Sequence, residues 1–327
     1  MSQCSRLSHV VAVAVLAMSL PGASYAAAPG FPAKPVRIVV GWPPGGLADI
    51  ASRTVAEQLA ALWKQPVIVD NRAGASGAIA ADFVARSPAD GYTLLAIMPD
   101  HVILRAVQPK PAGSPNADFA PVSQLGIAPL LVMVNPKVGV ETIQDLVALA
   151  KRKPNALTYA TPGAASMHHL SQALLNSQTG VQMMHIPYKG GAPAMMDAIG
   201  GVVDMTLGSP AQSLAYVQSG KLKALAVTSS KRSALLPEIP TVSETVLPGF
   251  AAGLWVGVLA PAGTPDALVR QIGADIRKVM TQSSVRSKLQ EQGVDVVAST
   301  PEQFSAFMRE EEVRWTEVVK KAGVTAN

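Results

Sequence analysis

Cysteine is nearly absent from this chain: Cys4 is the single cysteine among 327 residues, and it precedes the apolar run of residues 10–20. That run and the small residues that follow it, up to Ala28, form the pattern of a secretory signal peptide. We predict that residues 1–26 are removed, with cleavage after Ala26. A mature chain without cysteine excludes disulfides, thiol nucleophiles and cysteine-bound metals. An uncleaved anchor is the alternative, although a spanning helix needs about 20 apolar residues.

Charge and aromatic side chains are also scarce. Charged residues make up 15% of the sequence and aromatic residues 5%, against 49% hydrophobic residues. This composition is sufficient for a buried core and differs from that of disordered chains. The formal net charge is +5, yet the basic residues form only short groups, such as residues 151–153. We therefore predict a soluble exported protein that does not bind nucleic acid.

Common catalytic motifs are missing. The sequence contains neither the Gly-x-Ser-x-Gly elbow of hydrolases nor the His-Glu-x-x-His of zinc proteases. The adjacent His168 and His169 do not converge on one metal ion, because neighbouring positions on a helix face different directions. Asp100 and His101 are interpreted as a helix cap beside a polar histidine, and the glutamates 310–312 as an exposed helical face. We predict no catalytic residue, cofactor or metal; a secreted enzyme with an unrecognised site is the alternative.

Short β-branched runs alternate with helical segments from Val36 onward. Thr142 and Asp145 form a capping box, and Asp49 is expected to cap the helix after the first strand. Repeated strand, turn and helix predict βαβ units with a largely parallel sheet. Two such blocks, with crossovers near residues 125–132 and 248–256, predict an α/β protein of two lobes. Its ligand cleft is expected at the carboxyl ends of the strands.

Glycine-containing turns between a strand and a helix are the candidate binding sites. Amide N–H groups at such a helix N-terminus favour an anion, and hydroxyls in the second turn add donors. A plain tight turn is the alternative for each, and Lys189 is interpreted as a solvated side chain. The candidates are Pro43, Pro44, Gly45, Gly46 and Asp49 in the first turn, Thr161, Gly163, Ala164, Ser166 and the following His168 in the second, and Tyr188 in the third.

Several segments, in order along the chain, match the motifs of a known family. They are residues 31–37 (FPAKPVR), 43–46 (PPGG) with Asp49, 69–77 (VDNRAGASG), 90–95 (DGYTLL), 118–122 (DFAPV), 187–190 (PYKG), 225–232 (LAVTSSKR) and 259–265 (LAPAGTP). Through these residues the chain resembles the Bug family, the periplasmic substrate-binding components of tripartite tricarboxylate transporters. The similarity extends over essentially the whole mature region.

The resemblance implies a type II periplasmic-binding-protein fold, with one lobe at residues 27–128 plus 250–327 and the other at 129–249. It implies a monomeric periplasmic receptor that closes on a small carboxylate and delivers it to the membrane components of a transporter. Ser166 and the backbone amides of its turn would hold the carboxylate, and the first turn would close over it, partly through water. A sensor that presents its ligand to a signalling membrane protein is the alternative.

Departures from the family pattern bear on the ligand. Ala48 stands where the family often has threonine, and Gly208 and Ser209 stand where many members have an Asp-Asn pair. We include Gly208 and Ser209 in the predicted site. Without the acid, an ammonium group loses a partner, so we predict a plain mono- or dicarboxylate, aromatic acids included, rather than an amino acid. Residues 98–101 also differ from the family pattern, so the ligand's shape does not follow from the resemblance.

Overall fold

The computed structural model describes residues 30–107, 118–164 and 166–323. The predicted signal peptide, residues 1–26, lies outside these residues, as does Ala165 in the second candidate turn. The described helices and strands belong to one compact unit that begins at Pro32. This unit is built around two separate sheets.

Strands and helices alternate along most of the chain, as the sequence predicts. The strands are β1 (Val36–Val40), β2 (Val67–Asn71), β3 (Thr93–Ile97), β4 (Phe119–Pro129), β5 (Leu131–Val134), β6 (Thr158–Thr161), β7 (Met184–Pro187), β8 (Met205–Gly208), β9 (Lys223–Val227), β10 (Gly253–Pro261) and β11 (Asp295–Val296). The helices are α1 (Leu47–Trp63), α2 (Ala78–Ala85), α3 (Asp100–Val107), α4 (Ile143–Arg152), α5 (Met167–Thr179), α6 (Gly191–Gly200), α7 (Pro210–Gln218), α8 (Val242–Thr245), α9 (Asp266–Met280), α10 (Ser283–Gln290) and α11 (Pro301–Ala322).

The first sheet has the order β11-β4-β10-β3-β1-β2 and the second the order β7-β6-β8-β5-β9. In the first, β1 runs parallel to β2 and β3, while β10 is antiparallel to β3 and β4. In the second, β6 runs parallel to β7 and β8, while β5 is antiparallel to β8 and β9. Each lobe therefore has a parallel part built from βαβ units and an antiparallel part next to the crossovers. The lobe limits predicted from sequence remain our proposal.

The chain crosses between the sheets twice, and Thr228 joins the two crossings. Only Leu130 separates β4 of the first sheet from β5 of the second. The Thr228 hydroxyl donates to the Ala252 carbonyl (2.7 Å) and accepts from the Leu130 amide (2.8 Å). Its own amide donates to the Leu130 carbonyl and its carbonyl accepts from the Ala252 amide. Since Thr228 is 1% exposed, these bonds fix the connecting segments to each other away from water.

The last long helix, α11, packs on the first sheet. Phe304 is fully buried and lies directly over Gly257 of β10. A Cβ at Gly257 would come within 2.0 Å of the Phe304 ring, so only glycine permits this approach. The C-terminal helix thereby packs on the sheet that contains β1.

The expectation of an exposed glutamate face at residues 310–312 is wrong for Glu311. This side chain is 7% exposed, and its Oε2 accepts hydrogen bonds from the indole N–H groups of Trp255 (2.9 Å) and Trp315 (2.8 Å). Buried indole donors need an acceptor, which explains why this glutamate faces inward.

Two predicted caps have different outcomes. The Thr142–Asp145 capping box is confirmed: the Asp145 amide donates to Thr142 Oγ1 (3.1 Å), and the Thr142 amide donates to Asp145 Oδ2 (3.0 Å). The prediction that Asp49 caps α1 is wrong, because Gly46 is the N-cap and Asp49 lies in the first turn of the helix. Its carboxylate has other partners, described below.

Candidate ligand-binding site

Strand direction determines where the candidate turns lie. Because β1, β2 and β3 are parallel, the turns that follow them share one edge of the first sheet. The turns that follow β6, β7 and β8 share one edge of the second sheet for the same reason. These are the carboxyl edges at which α/β sheets bind ligands.

The two carboxyl edges adjoin at the crossovers. In the first sheet, β4 ends level with the start of β10, beyond the carboxyl end of β3. In the second sheet, β5 begins level with the carboxyl ends of β8 and β9. Only Leu130 lies between β4 and β5, so the fold brings the candidate turns of the two lobes to neighbouring edges.

The first turn presents backbone at the N-terminus of α1. Pro43, Pro44 and Gly45 are exposed and Gly46 is half-buried. Gly45 has a φ of 82°, a left-handed conformation that favours glycine. No side chain caps α1 at Gly46, so its first-turn amide N–H groups suit an anion.

Asp49, in the first turn of α1, holds this turn in place through hydrogen bonds of its buried carboxylate. It is 3% exposed, and its carboxylate accepts from the Gly45 amide (2.9 Å), from Asn71 Nδ2 (2.9 Å) and from Arg53 Nε (3.0 Å). Burial opposes ionisation, but the bonds from Arg53, Gly45 and Asn71 outweigh it and hold the pKa of Asp49 below its usual value. With both oxygens engaged, Asp49 shapes the turn, and we propose that it does not contact the ligand itself.

A neighbouring turn, residues 74–77, was not assigned to the site from sequence. Gly74, Ala75, Ser76 and Gly77 all have positive φ, an unusual conformation for Ala75 and Ser76. The ring of Trp42 lies against Gly77, and a Cβ at this glycine would be 3.0 Å from the nearest ring atom. The signal in the sequence is the glycine-rich segment that follows β2, which is given above only as a family motif.

The second turn is closed by its own hydrogen bonds. The Ser166 hydroxyl donates to the Gly163 carbonyl (2.7 Å) and accepts from the His169 amide (3.3 Å), so Ser166 is the N-cap of α5. The buried Thr161 hydroxyl donates to the same carbonyl (3.1 Å). Gly163 and Ala164 are half-buried. The amides of Gly163 and Ser166 are also engaged, with Thr161 Oγ1 (3.4 Å) and with the Gly163 carbonyl (3.2 Å). The donors left for a ligand are therefore the Ala164 amide and the first amides of α5, and Ser166 Oγ would have to exchange a partner to bind one.

The remaining candidates border this turn with different roles. The Tyr188 amide donates to the Thr161 carbonyl (2.9 Å), but its hydroxyl donates to Asp197 (2.7 Å). That bond raises the pKa of Tyr188 to about 12. Gly208 is buried at the end of β8, and the buried Ser209 caps α7 by accepting from the Gln212 amide (3.4 Å). Tyr188 thus contributes its backbone to the edge while its hydroxyl is held by α6.

The described side chains of the second turn and of the start of α5 are uncharged. His168 is half-buried in the first turn of α5, and burial lowers its pKa to about 4. It is therefore uncharged at neutral pH and offers a hydrogen bond rather than a charge. An anion bound here would depend on oriented amides and hydroxyls.

A separate cavity of about 330 Å³ lies between α5, α11 and residues 248–250. Both cations that line it have carboxylate partners, Arg314 with Glu311 (3.7 Å) and Lys321 with Glu317 (2.7 Å). Arg314 also donates to the Ala251 carbonyl in the second crossover. This cavity lies at the junction of the last helix with the second lobe, apart from the candidate turns.

Two features are absent from the described residues. No group of three or more His, Cys, Asp or Glu side chains in that part of the chain is arranged to hold a metal ion. Within the same residues, no helix is both long and apolar enough to cross a membrane.

Solved structures establish the class of fold. The periplasmic binding protein BugD is 31% identical, with a TM-score of 0.76 over 91% of this chain and 100% of BugD. The structure of R. palustris Rpa4515 with adipate is 34% identical, with a TM-score of 0.79 over 90% of this chain and 99% of that one. MatC of Rhodopseudomonas palustris, solved with bound malate, is 31% identical, with a TM-score of 0.75 over 88% of this chain and 100% of MatC. The predicted two-lobed periplasmic-binding-protein fold is confirmed.

Sequence comparison then identifies the family. The family described as "Tripartite tricarboxylate transporter family receptor" matches residues 51–324. Protein BugT of Bordetella pertussis (strain Tohama I) is 35% identical over 321 residues, which is 98% of either chain. The chain belongs to this receptor family, and the resemblance predicted from its motifs is confirmed. Its relatives are receptors rather than enzymes.

Proposed function

We propose that this chain is a periplasmic receptor that binds a small carboxylate between its lobes and delivers it to the membrane components of a tripartite tricarboxylate transporter. The main support for this proposal is the position of the candidate turns. Those of both lobes lie on adjoining carboxyl edges and present uncapped or glycine-rich helix N-termini. Relatives of the same fold and family were solved with adipate and with malate, which makes these dicarboxylates the first candidates.

Backbone donors can supply the affinity that such a receptor needs. A hydrogen bond to a charged group contributes about 1.5–3 kcal/mol. Three or four of them provide about 4.5–12 kcal/mol before the cost of ordering and lobe closure, and a low-micromolar Kd corresponds to roughly −8 kcal/mol. Contacts from both lobes to one ligand would stabilise the closed state, since only differential contacts shift a conformational equilibrium.

The buried end of β8 supports a plain carboxylate over an amino acid. A Cβ at Gly208 would lie 2.7 Å from Ser213 Oγ and 2.8 Å from Met195 Cε, so an acidic side chain does not fit there without rearrangement. An ammonium group would therefore find no carboxylate from this position. We expect glutarate to bind more tightly than glutamate, and the reverse order would contradict this part of the proposal.

Titration calorimetry on the mature chain, refolded to remove bound ligand, tests the proposal directly. The panel contains adipate, malate, glutarate, a monocarboxylate, an aromatic acid and glutamate. At about 100 times its Kd, a ligand should also stabilise the fold by roughly 2.7 kcal/mol in thermal unfolding. If every acid fails while the protein is demonstrably folded, the anion-binding interpretation is wrong.

Two glycines at opposite ends of α5 provide a matched pair of variants. Gly163, before the helix, has a φ of 154°, and Gly180, at its C-cap, has a φ of 69°; at neither position would a Cβ have another atom within 4 Å. Alanine is strained at both positions, and each substitution should destabilise by about 1–3 kcal/mol. We expect Gly163→Ala to weaken dicarboxylate binding at least tenfold and Gly180→Ala to leave it unchanged. Equal binding by the two variants would exclude the second turn from the site.

Location and delivery need separate tests. Mass spectrometry of the periplasmic fraction should find a chain that begins at Ala27, as the sequence pattern predicts. Uptake of the bound acid should be lost when the gene is deleted and restored by the wild-type chain. Normal uptake in the deletion strain, with a folded receptor that binds the acid, would favour the sensor.

A further inference from the structure

A cluster of aromatic and hydroxyl side chains adjoins the turn of residues 161–166. Tyr159 and Thr161 project from β6, His185 from the neighbouring β7, and His169 from the first turn of α5. The two imidazole rings stack with centroids 3.8 Å apart, and the Tyr159 ring lies 5.0 Å from that of His185. Neither histidine is predicted from sequence to have a role in binding, and His185 is separated from Thr161 by 24 positions along the chain.

His185 is connected to the turn by a chain of hydrogen bonds. Its Nε2 lies 2.6 Å from Thr161 Oγ1, and the Thr161 hydroxyl lies 3.1 Å from the Gly163 carbonyl, to which it donates. A hydroxyl has one hydrogen. When that hydrogen goes to Gly163, His185 must carry its proton on Nε2 and donate to Thr161. The Gly163 carbonyl thereby accepts hydrogen bonds from the hydroxyls of both Thr161 and Ser166.

His169 supports the same arrangement from the helix. Its Nδ1 lies 3.1 Å from the Tyr159 hydroxyl, and its amide donates to Ser166. Burial raises the pKa of Tyr159, so the phenol stays neutral and is able to donate to that ring nitrogen. The stack therefore fixes the position of His185 between β6 and α5.

The side chains that contact His185 within the described part of the chain are uncharged. The titratable groups that face it are Tyr159 from its own sheet and His169 from α5, with His168 next on that helix. Burial lowers the pKa of His185 to about 4, and burial together with its neighbour lowers the pKa of His169 to about 4. Of the charged groups on the next elements, Asp197 accepts from Tyr188, and Lys189 is exposed.

We propose that His185 is a positioning residue of the ligand-binding turn, which holds Thr161 and through it the Gly163 peptide so that the following amides face the ligand. This inference rests on the proposed function for its consequence in binding. It predicts that loss of the Nε2 donor disorders the turn even though His185 does not touch the ligand.

Three variants on β7 separate this role from simple packing. His185→Phe keeps an aromatic ring in the stack but removes the donor, and His185→Gln retains an N–H donor. Met184→Gln, at the adjacent position that is 50% exposed, controls for a change in the strand. We expect His185→Phe to weaken binding of adipate or malate at least tenfold in calorimetry at pH 7. His185→Gln should remain within about fivefold of the wild type, and Met184→Gln should match it.

A further readout does not depend on stability. Without ligand, nitrogen NMR of the imidazoles should show His185 protonated at Nε2. The Gly163 and Ser166 amide signals should shift in His185→Phe and much less in Met184→Gln.

The outcomes distinguish the two proposals. A folded His185→Phe that binds like the wild type, or an His185 that is protonated only at Nδ1, overturns the positioning role. If His185→Phe fails to fold, the affinity of His185→Gln and the tautomer of His185 in the wild type still test the positioning role. If the wild type binds no acid of the panel while the ligand-free amide shifts occur as expected, the proposed function fails and the positioning of the turn stands.

Discussion

Thr228→Val is the substitution whose effect the structure defines most closely. It removes the hydroxyl that joins the two crossovers while nearly keeping the size of the side chain. The amide of Leu130 then loses its acceptor and the carbonyl of Ala252 loses its donor, both at a site where Thr228 is 1% exposed. Each unsatisfied buried group costs about 1–3 kcal/mol, offset by about 0.8 kcal/mol for the buried methyl group. We expect the free energy of unfolding to fall by about 2–4 kcal/mol.

Thr206→Val is the matched control. Thr206 is also 1% exposed, and its hydroxyl donates to the Ala160 carbonyl (3.1 Å) within the second sheet. Because that change removes a hydrogen bond inside one lobe, it should cost only about 1 kcal/mol. Urea denaturation of both variants, followed by circular dichroism, gives the two free energies with their m-values.

The link that Thr228 makes between the two crossovers leads to a second expectation. If Thr228 couples the crossovers, its variant should also broaden the distribution of lobe separations in solution scattering without ligand, whereas Thr206→Val should not. A Thr228→Val protein within about 0.5 kcal/mol of the wild type would refute the assignment of these hydrogen bonds as the link between the crossovers. A decrease in the free energy of unfolding equal to that of Thr206→Val would show that the hydroxyl between the crossovers stabilises the fold no more than one within a single sheet.

Other changes have equally definite expectations. Glu311→Leu leaves two buried indole N–H groups without their acceptor and should cost about 3–5 kcal/mol in urea denaturation, against about 0.5 kcal/mol for Glu310→Leu on the exposed neighbour. Asp49→Asn places an amide nitrogen against buried donors, so it should lower the free energy of unfolding by about 1–3 kcal/mol, loosen the first turn and weaken ligand binding about tenfold in calorimetry; unchanged binding would remove that turn from the site. Acidification should destabilise the fold: the pKa of His169 falls from 6.5 to about 4 on folding, so the unfolded chain binds more protons in that window. Its contribution of about 3 kcal/mol is lost as the pH falls from 6.5 to 4, opposed in part by Asp100, whose pKa is raised to about 6, and a flat Tm over this range would contradict it.

Elements with a strong local pattern were predictable from sequence. The sequence pattern predicts a strand at residues 36–40 and a helix at about residues 78–85. These are the bounds of β1 and α2, because buried periodicity and glycine turns define both elements locally. β4 was missed: its sequence follows a proline-rich connection, and its partner β10 is far along the chain. Its polar Ser123 and Gln124 are buried against Ser299, a pairing that no local pattern reveals.

The same distinction between local patterns and tertiary contacts applies to the candidate site. Sequence located the turns, since glycine and proline between strand and helix are local signals, and strand direction brings them to one edge. It did not show which polar groups were already satisfied. Asp49 and Tyr188 have their partners within the fold, and Ser166 closes its own turn. The supporting side chains Asn71 and His185 reach the turns only through tertiary structure, which is why the sequence did not reveal them.

The position of the crossovers also bears on how a small ligand could close the lobes. The connecting segments leave both sheets at the same edges that carry the candidate turns, so a ligand there lies close to the pivot. A rotation about a nearby pivot moves those turns only a short distance, and a molecule as small as a dicarboxylate can then reach donors on both sides. Thr228 ties one crossing to the other, so the two connections must turn together. Under the proposed function, the energy of a few amide hydrogen bonds at the edges therefore acts on one coupled hinge, which is the requirement for a receptor whose closed form depends on its ligand.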